Sequence, residues 1–242
     1  MIKILVVGES CTDKFIYCET SRFSPEAPVP VLVPLETIEN LGMSGNVVRN
    51  LLSLDNIDIT HIHQSKLITK TRYVEKKSNH MFLRIDEGEK NIDTFNSDTN
   101  LKEYDIVIVS DYYKGFLSDI DLINIGKNSK LSILDSKRKL SEDIIKNYSF
   151  IKLNESEFNN NLIFKEMNNI IVTLGSKGCS FRGVNYSSPN PQETIDVSGA
   201  GDTFTSCFIL KYFKSKNIEE SIIYANKMSS IVVSKRGVAT PI

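Results

Sequence analysis

The 242-residue sequence predicts an α/β fold in which one mostly parallel central sheet is flanked by helices and a small antiparallel sheet stands over it as a lid. Three observations carry this expectation. Short, continuous apolar runs recur along the chain, as strands buried on both faces require. Helix-length segments separate several of them, the alternation expected of parallel strands joined by crossover helices. Two segments of different character interrupt that rhythm.

In chain order, "KILVVGE" from Lys3 is the first buried strand, closed by Gly8. It is too short for the apolar core of a signal peptide and no cleavage site follows, so it reads as a strand. "PVPVLVPLETIE" (28–39) and "TRYVEKKSNHMFLRID" (71–86) are the two exceptional segments. Prolines at 28, 30 and 34 cannot donate to a ladder and suit an edge strand, while "KKSNH" supplies a turn. These pieces are expected to form the lid, at about 14–39 and 71–90; an antiparallel extension of the main sheet is the alternative. Buried strands follow at 104–111, 131–137, 150–156 and 169–175, with the helical segments "SDIDLINIGKNS" and "SEDIIKNY" between them. Two helices close the chain, from Asp202 to about Phe213 and from about Ile218 to Ser234. Residues 1–242 read as a single domain without internal repeats.

Composition narrows the function. Lys and Arg number 29 against 30 Asp and Glu, a net charge of −1 that offers no footprint for nucleic acid or an anionic membrane. No apolar run is long enough to cross a bilayer. The four cysteines show no C-x-x-C spacing, which points to reduced thiols in a cytoplasmic protein. "HIH" (61–63) puts two imidazoles on one face of a strand, but no further His or Cys stands at a metal-ligand spacing. Tyr112, Tyr113 and Phe116 read as wall or core.

The polar residues cluster where the strands end. Glu9 and Asp13 follow the first strand, Asp111 and Lys114 the second long run, Asp135 and Lys137 the next, then Asn154 and Glu157, then Gly175, Lys177 and Gly178. Ligands of open α/β sheets bind at this edge, outside the carboxyl ends of the strands. The stretch "TIDVSGAGDTF" then sets Gly199, Ala200 and Gly201 ahead of Asp202 at the start of a helix. The first N–H groups of a helix lack internal partners and carry partial positive charge. Glycines before them let the backbone close on a ligand, which makes an anion hole suited to a phosphoryl group.

These residues resemble the ribokinase-like (PfkB) carbohydrate kinases. "DVSGAGDTF" looks like that family's D-T-x-G-A-G-D signature, "LNESEF" (153–158) like its N-x-x-E motif, and "GMSGN" (42–46) falls at its Gly-Gly substrate motif. "TSRFSPEAPVPV", "FLRIDEGE" and "VSDYYKGFLS" resemble its heptose 7-phosphate kinase branch, which supplies ADP-heptose precursors for bacterial surface glycans.

The resemblance implies a ribokinase-like kinase using ATP and Mg²⁺ to phosphorylate the anomeric hydroxyl of D-glycero-D-manno-heptose 7-phosphate. Asp202 would be the general base, and the backbone of Gly199, Ala200 and Gly201 would hold the migrating phosphoryl group. Asn154, Glu155, Ser156 and Glu157 would order the ATP phosphates, with Glu157 serving Mg²⁺. Gly175, Lys177 and Gly178 would flank the nucleotide and Asn226 the adenine. Asp13, Gly42 and Asn46 would contact the sugar, and Arg22, Arg84, Lys114 and Lys137 would receive its phosphate. Asp196 and Ser198 would hold a monovalent cation such as K⁺. Lid sheets of this family often pair, which implies a homodimer.

The departures count as well. Met43 replaces the second glycine of the sugar motif and Ser198 a threonine. Between Leu54 and Thr71 lie only sixteen residues, where the family inserts further strand and helix, so the sheet is expected to be trimmed there. After the last helix "GVATPI" brings no nucleotidyltransferase, which leaves that step to another protein. Two alternatives stand beside the heptose reading: a kinase of fructose phosphate, ribose or a nucleoside, and a degenerate sugar or nucleotide sensor.

Overall fold

Residues 4–7 show how the sequence builds the sheet. Ile4 and Val6 pack into one apolar cluster and Leu5 and Val7 into another, so the run is apolar throughout because both faces of its strand are covered. The computed structural model describes residues 1–96, 98–161, 167–188, 198–235 and 239–241. Its main sheet has eight strands among the described residues. They are β1 (Lys3–Gly8), β4 (Asp58–Ile62), β7 (Ile106–Asp111), β8 (Ser132–Ser136), β9 (Phe150–Asn154), β10 (Ile170–Thr173), β11 (Cys179–Phe181) and β12 (Val184–Tyr186).

The spatial order is β12-β11-β10-β9-β8-β7-β1-β4. All pairs from β4 to β10 are parallel, and β11 and β12 extend the sheet antiparallel. Helices α1 (Ser44–Leu54), α5 (Ala200–Ser215) and α6 (Ile218–Val233) supply Val47, Phe208 and Ile222 to the first cluster. Helices α2 (Asp119–Asn128) and α3 (Glu142–Ile145) supply Leu122 and Ile144 to the second, and Phe158 of α4 (Glu155–Asn160) packs against it. Capping boxes start α2 at Ser118 and α4 at Asn154. All four cysteines are free and buried.

A separate four-stranded sheet, in the order β3-β2-β5-β6, is the lid. It consists of β2 (Ser10–Phe23), β3 (Pro30–Met43), β5 (Thr69–Glu75) and β6 (Met81–Glu87). It does not extend the main sheet. Pro30 and Pro34 lie on β3, an edge strand as their missing N–H requires. The β5–β6 hairpin turns at residues 76–80, where Asn79 and Glu75 are hydrogen bonded. One expectation needs correction: the lid is mixed, because β2 and β5 run parallel. After β3 the chain passes through α1 and β4 before reaching β5, and that crossover brings it back to the end from which β2 started.

The trimming expected after Leu54 is visible. A single strand, β4, occupies that segment, forms the sheet edge beside β1, and leads into β5 without a helix. Gln64 pins the short connection by accepting from the Ser10 N–H at 2.9 Å and donating to the Ser10 carbonyl at 2.6 Å.

Candidate active site

Helix α5 begins at Ala200, with Gly199 as a left-handed N-cap at φ 81°. Its third residue, Asp202, is 5% exposed. The Asn46 side-chain amide donates to one carboxylate oxygen at 2.9 Å and the Tyr112 hydroxyl to the other at 3.2 Å. Burial and then the nearby Asp135 carboxylate raise the Asp202 pKa to about 6, against the opposing pull of Asn46, Lys152 and Tyr112. Tyr112 is held in turn by Glu9, which is fully buried. That carboxylate accepts the backbone N–H groups of Tyr112, Lys114 and Phe116 at 2.9, 2.8 and 3.3 Å, tying the loop after β7 to the end of β1.

Two cavities meet at Asp202. The larger, of about 450 Å³, runs along the carboxyl ends of β8–β10 and under the first turn of α5. The smaller, of about 170 Å³, lies between that turn and the lid. Tyr112, Gly199 and Asp202 line both.

Asn154, Gly175, Gly178, Asn226 and Lys137 face the larger cavity together with residues 199–202. Glu157 sits behind Asn154 in the capping box: its carboxylate accepts the Asn154 N–H at 2.7 Å and pairs with Lys137 at 2.5 Å. Burial works against the Lys137 charge, but Asp135 and Glu157 outweigh it and hold its pKa above the usual lysine value. Glu155, Ser156 and Lys177 are exposed and do not line the cavity. Asp135, expected at this edge from its place at a strand end, lines the cavity too, and beside it stands Lys152, which the sequence did not single out. They are register partners on β8 and β9, bridged at 2.7 Å and 6% and 3% exposed.

Asp13, Asn46, Arg84 and Ser198 line the smaller cavity, and Lys70, Arg72 and Met43 join them. Arg72 and Arg84 stand directly opposite each other across β5 and β6. Like charges so placed repel, and Asp13 and Asp86 answer them through ion pairs to Arg72 and Arg84 respectively. Gly42 lies behind Asp13, where an added Cβ would fall 2.0 Å from its carboxylate. Met43 adopts φ 53° and ψ −133° while 3% exposed, a backbone conformation strained for anything but glycine.

Other expected residues lie elsewhere. Arg22 is exposed towards the far end of β2, about 30 Å along the strand from Asp13. Lys114 pairs with Glu89, which also holds Lys70, and lines neither cavity. Asp196 lies outside the described residues. Among the described residues no group of three or more His, Cys, Asp or Glu could hold a metal ion by itself. His61 is bonded to the Ser44 hydroxyl at 2.8 Å, and burial and His63 push its pKa down to about 4. No helix among the described residues is long and apolar enough to cross a membrane.

Such a site, an acid group between two cavities at a helix start, is chemistry for two substrates that meet. Residues 42–242 match the model of the pfkB family of carbohydrate kinases, and the chain belongs to that family. It is 31% identical to the bifunctional protein HldE of Helicobacter pylori, over 99% of this chain and 64% of that protein. The chain thus spans somewhat less than two thirds of the length of this curated relative. Among solved structures, Arabidopsis thaliana ribokinase complexed with ribose and ATP superposes with a TM-score of 0.72 at 16% identity, covering 98% of this chain and 94% of that one. Escherichia coli phosphofructokinase-2 in complex with potassium gives 0.73 at 15% identity, with coverages of 98% and 94%. At such identities these two likenesses establish the ribokinase-like fold alone.

Proposed function

We propose that this carbohydrate kinase transfers the γ-phosphoryl group of ATP to the anomeric hydroxyl of a heptose 7-phosphate. The observation that carries the reading is the position of Asp202, where a buried carboxylate at an anion-ready helix start adjoins both cavities. ATP occupies the larger and the sugar phosphate the smaller. Asp202 takes the proton of the sugar hydroxyl. The freed oxygen forms its bond to the γ-phosphorus as the bond to the bridging oxygen breaks, and ADP departs. The N–H groups at residues 199–202 hold the phosphoryl oxygens, since positioning and electrostatics carry most of such a transfer.

The substrate's own phosphate is assigned to Arg72 and Arg84, with Lys70 beside them. Two guanidiniums forced together on one sheet face suit a dianion. Asp13 and Asn46 hold the sugar hydroxyls. The likeness to HldE and the resemblance of the lid segments to the heptose branch both support this substrate.

The residues fit Mg²⁺ that is carried chiefly by phosphates and water. Asp135 keeps a buried carboxylate oxygen without a partner among the described residues, in the same cavity as Asn154. Asp135 and Asn154 would hold the ion through water, and Glu157 would fix Asn154. The ion would neutralise phosphate charge. A monovalent cation would lie near Ser198, as the resemblance to the family implies. We place the enzyme in the cytoplasm, where ATP and free thiols belong. Exposed Val33, Leu35, Met81 and Leu83 on the lid would pair in a homodimer.

ADP release with Mg-ATP across a panel of free and phosphorylated sugars tests the reading. Turnover on D-glycero-D-manno-heptose 7-phosphate is expected. Turnover on a neutral sugar in preference to any phosphate would refute the assignment of the arginines, and turnover on none would refute the kinase.

A further inference from the structure

Lys152 is a charged residue inside the apolar run Phe150–Leu153 of β9, and it is almost completely buried. An ammonium group has three N–H donors. Among the described residues its one hydrogen bond goes to Asp135, at 2.7 Å. Lys152 and Asp135 both line the larger cavity. A buried ion pair stabilises a fold only when its remaining donors and acceptors are also satisfied. Here the second Asp135 oxygen is buried without a partner, and the ammonium keeps donors to spare. A salt bridge serving β8–β9 register alone accounts for neither.

Where the ammonium points is set by Gly201. A Cβ built there would lie 2.8 Å from the Lys152 Nζ, so the charge rests against the first turn of α5. That turn is itself the positive end of a 16-residue helix. The ammonium and the helix start therefore face one space in the cavity, beside the Asp135 and Asp202 carboxylates, and the ammonium donors that Asp135 leaves free can meet an entering phosphoryl oxygen there.

Resting on the kinase reading above, we infer that Lys152 is a catalytic residue, whose ammonium donates to the transferring phosphoryl group beside the backbone N–H groups of α5. As the γ-phosphorus leaves the bridging oxygen of ADP for the sugar oxygen, the hydroxyl proton passes to Asp202 and Lys152 keeps all three of its own. Asp135 is the positioning residue that holds the ammonium in place. Gly201 is glycine because any side chain would displace it.

The test removes the pair without leaving a lone buried charge. The double variant Lys152→Met/Asp135→Asn is compared with the wild type by thermal melting, kcat and KM on the sugar phosphate, and ADP affinity. With the fold intact, kcat is expected to fall about 10²-fold, the order seen when one transition-state donor is removed. The sugar KM, and the ADP affinity measured without Mg²⁺, should stay within about threefold. An unchanged kcat overturns the inference, and so does an ADP affinity that falls as far as kcat, since Lys152 would then serve the standing phosphates. Because Asp135 also stands in the Mg²⁺ site proposed above, Gly201→Ala is measured beside the double variant whether or not that variant folds: it crowds the ammonium off the turn while both charges remain, and an unaltered kcat there overturns the inference equally. Failure of the kinase reading is distinct: the wild type itself would then release no ADP.

Discussion

Tyr112→Phe deletes one oxygen atom and should move the pH dependence of the enzyme in a defined direction. The Tyr112 hydroxyl donates to the Asp202 carboxylate at 3.2 Å and so favours its ionised form. A hydrogen bond to a charged group contributes about 1.5–3 kcal/mol, and one pKa unit is about 1.4 kcal/mol. This bond is long, so the lower end applies and Asp202 should rise by about one unit, from about 6 to about 7. A general base works when deprotonated, so activity is lost as pH falls through that pKa. The variant should therefore be about fivefold slower than wild type at pH 6, about twofold slower at pH 7 and equal above about pH 9. Phenylalanine keeps the ring that packs beneath Lys70 and Lys137, so KM values should hold. The assay is kcat against pH under saturating substrates. An acid limb that stays in place, or moves down, would refute the reasoning that Asp202 is the titrating base.

Three further variants test the same structure. Asp202→Asn should cut kcat by about 10²–10⁴-fold while sparing nucleotide affinity by calorimetry. Folding raises the pKa of Asp202, so its ionised form costs stability once pH exceeds about 6 and nothing below about pH 4; the variant should melt higher than wild type at about pH 8 and no higher at about pH 4. Gly42→Ala pushes a carbon into the Asp13 carboxylate and should raise the sugar KM at least severalfold with the ATP KM unmoved, as steady-state kinetics would show. Arg138→Met strands Asp111, which is 0% exposed and bonded to Arg138 at 2.6 and 2.9 Å; denaturant melts should show a loss of about 3–5 kcal/mol.

What was legible in the sequence depended on locality. The apolar run at Ile4–Val7 and the glycines before Asp202 declare a buried strand and a helix start through their nearest neighbours alone. Asp135 and Lys152 are seventeen residues apart, and only the β8–β9 register makes them partners. A single charge inside each apolar run was the available signal. Lys70 and Arg72 alternate with Thr69, Thr71 and Tyr73, an unremarkable strand pattern, and it is the cross-strand Arg84 that turns them into a basic cluster. The spacing of Asn154 and Glu157 served two meanings at once. It resembles the family's N-x-x-E motif and is also the spacing of a capping box, and the box occupies both Glu157 oxygens with the Asn154 N–H and Lys137. Tyr112 read as wall because its hydroxyl meets Asp202 across ninety residues of chain.

The four buried thiols give the molecule an internal stopwatch. Burial, aided at Cys11 by Asp13, pushes the pKa values of Cys11, Cys179 and Cys207 up to about 12, so little of the reactive thiolate exists in the closed protein. A small alkylating reagent can then mark each cysteine only as often as its surroundings open. Cys18 would time the lid, Cys207 the packing between α5 and the sheet, and Cys11 the chamber beside Asp13. Saturating that chamber with the right sugar phosphate should slow the Cys11 clock and leave the Cys207 clock running at its old rate. A mass spectrum taken over minutes would thus report occupancy without any turnover at all.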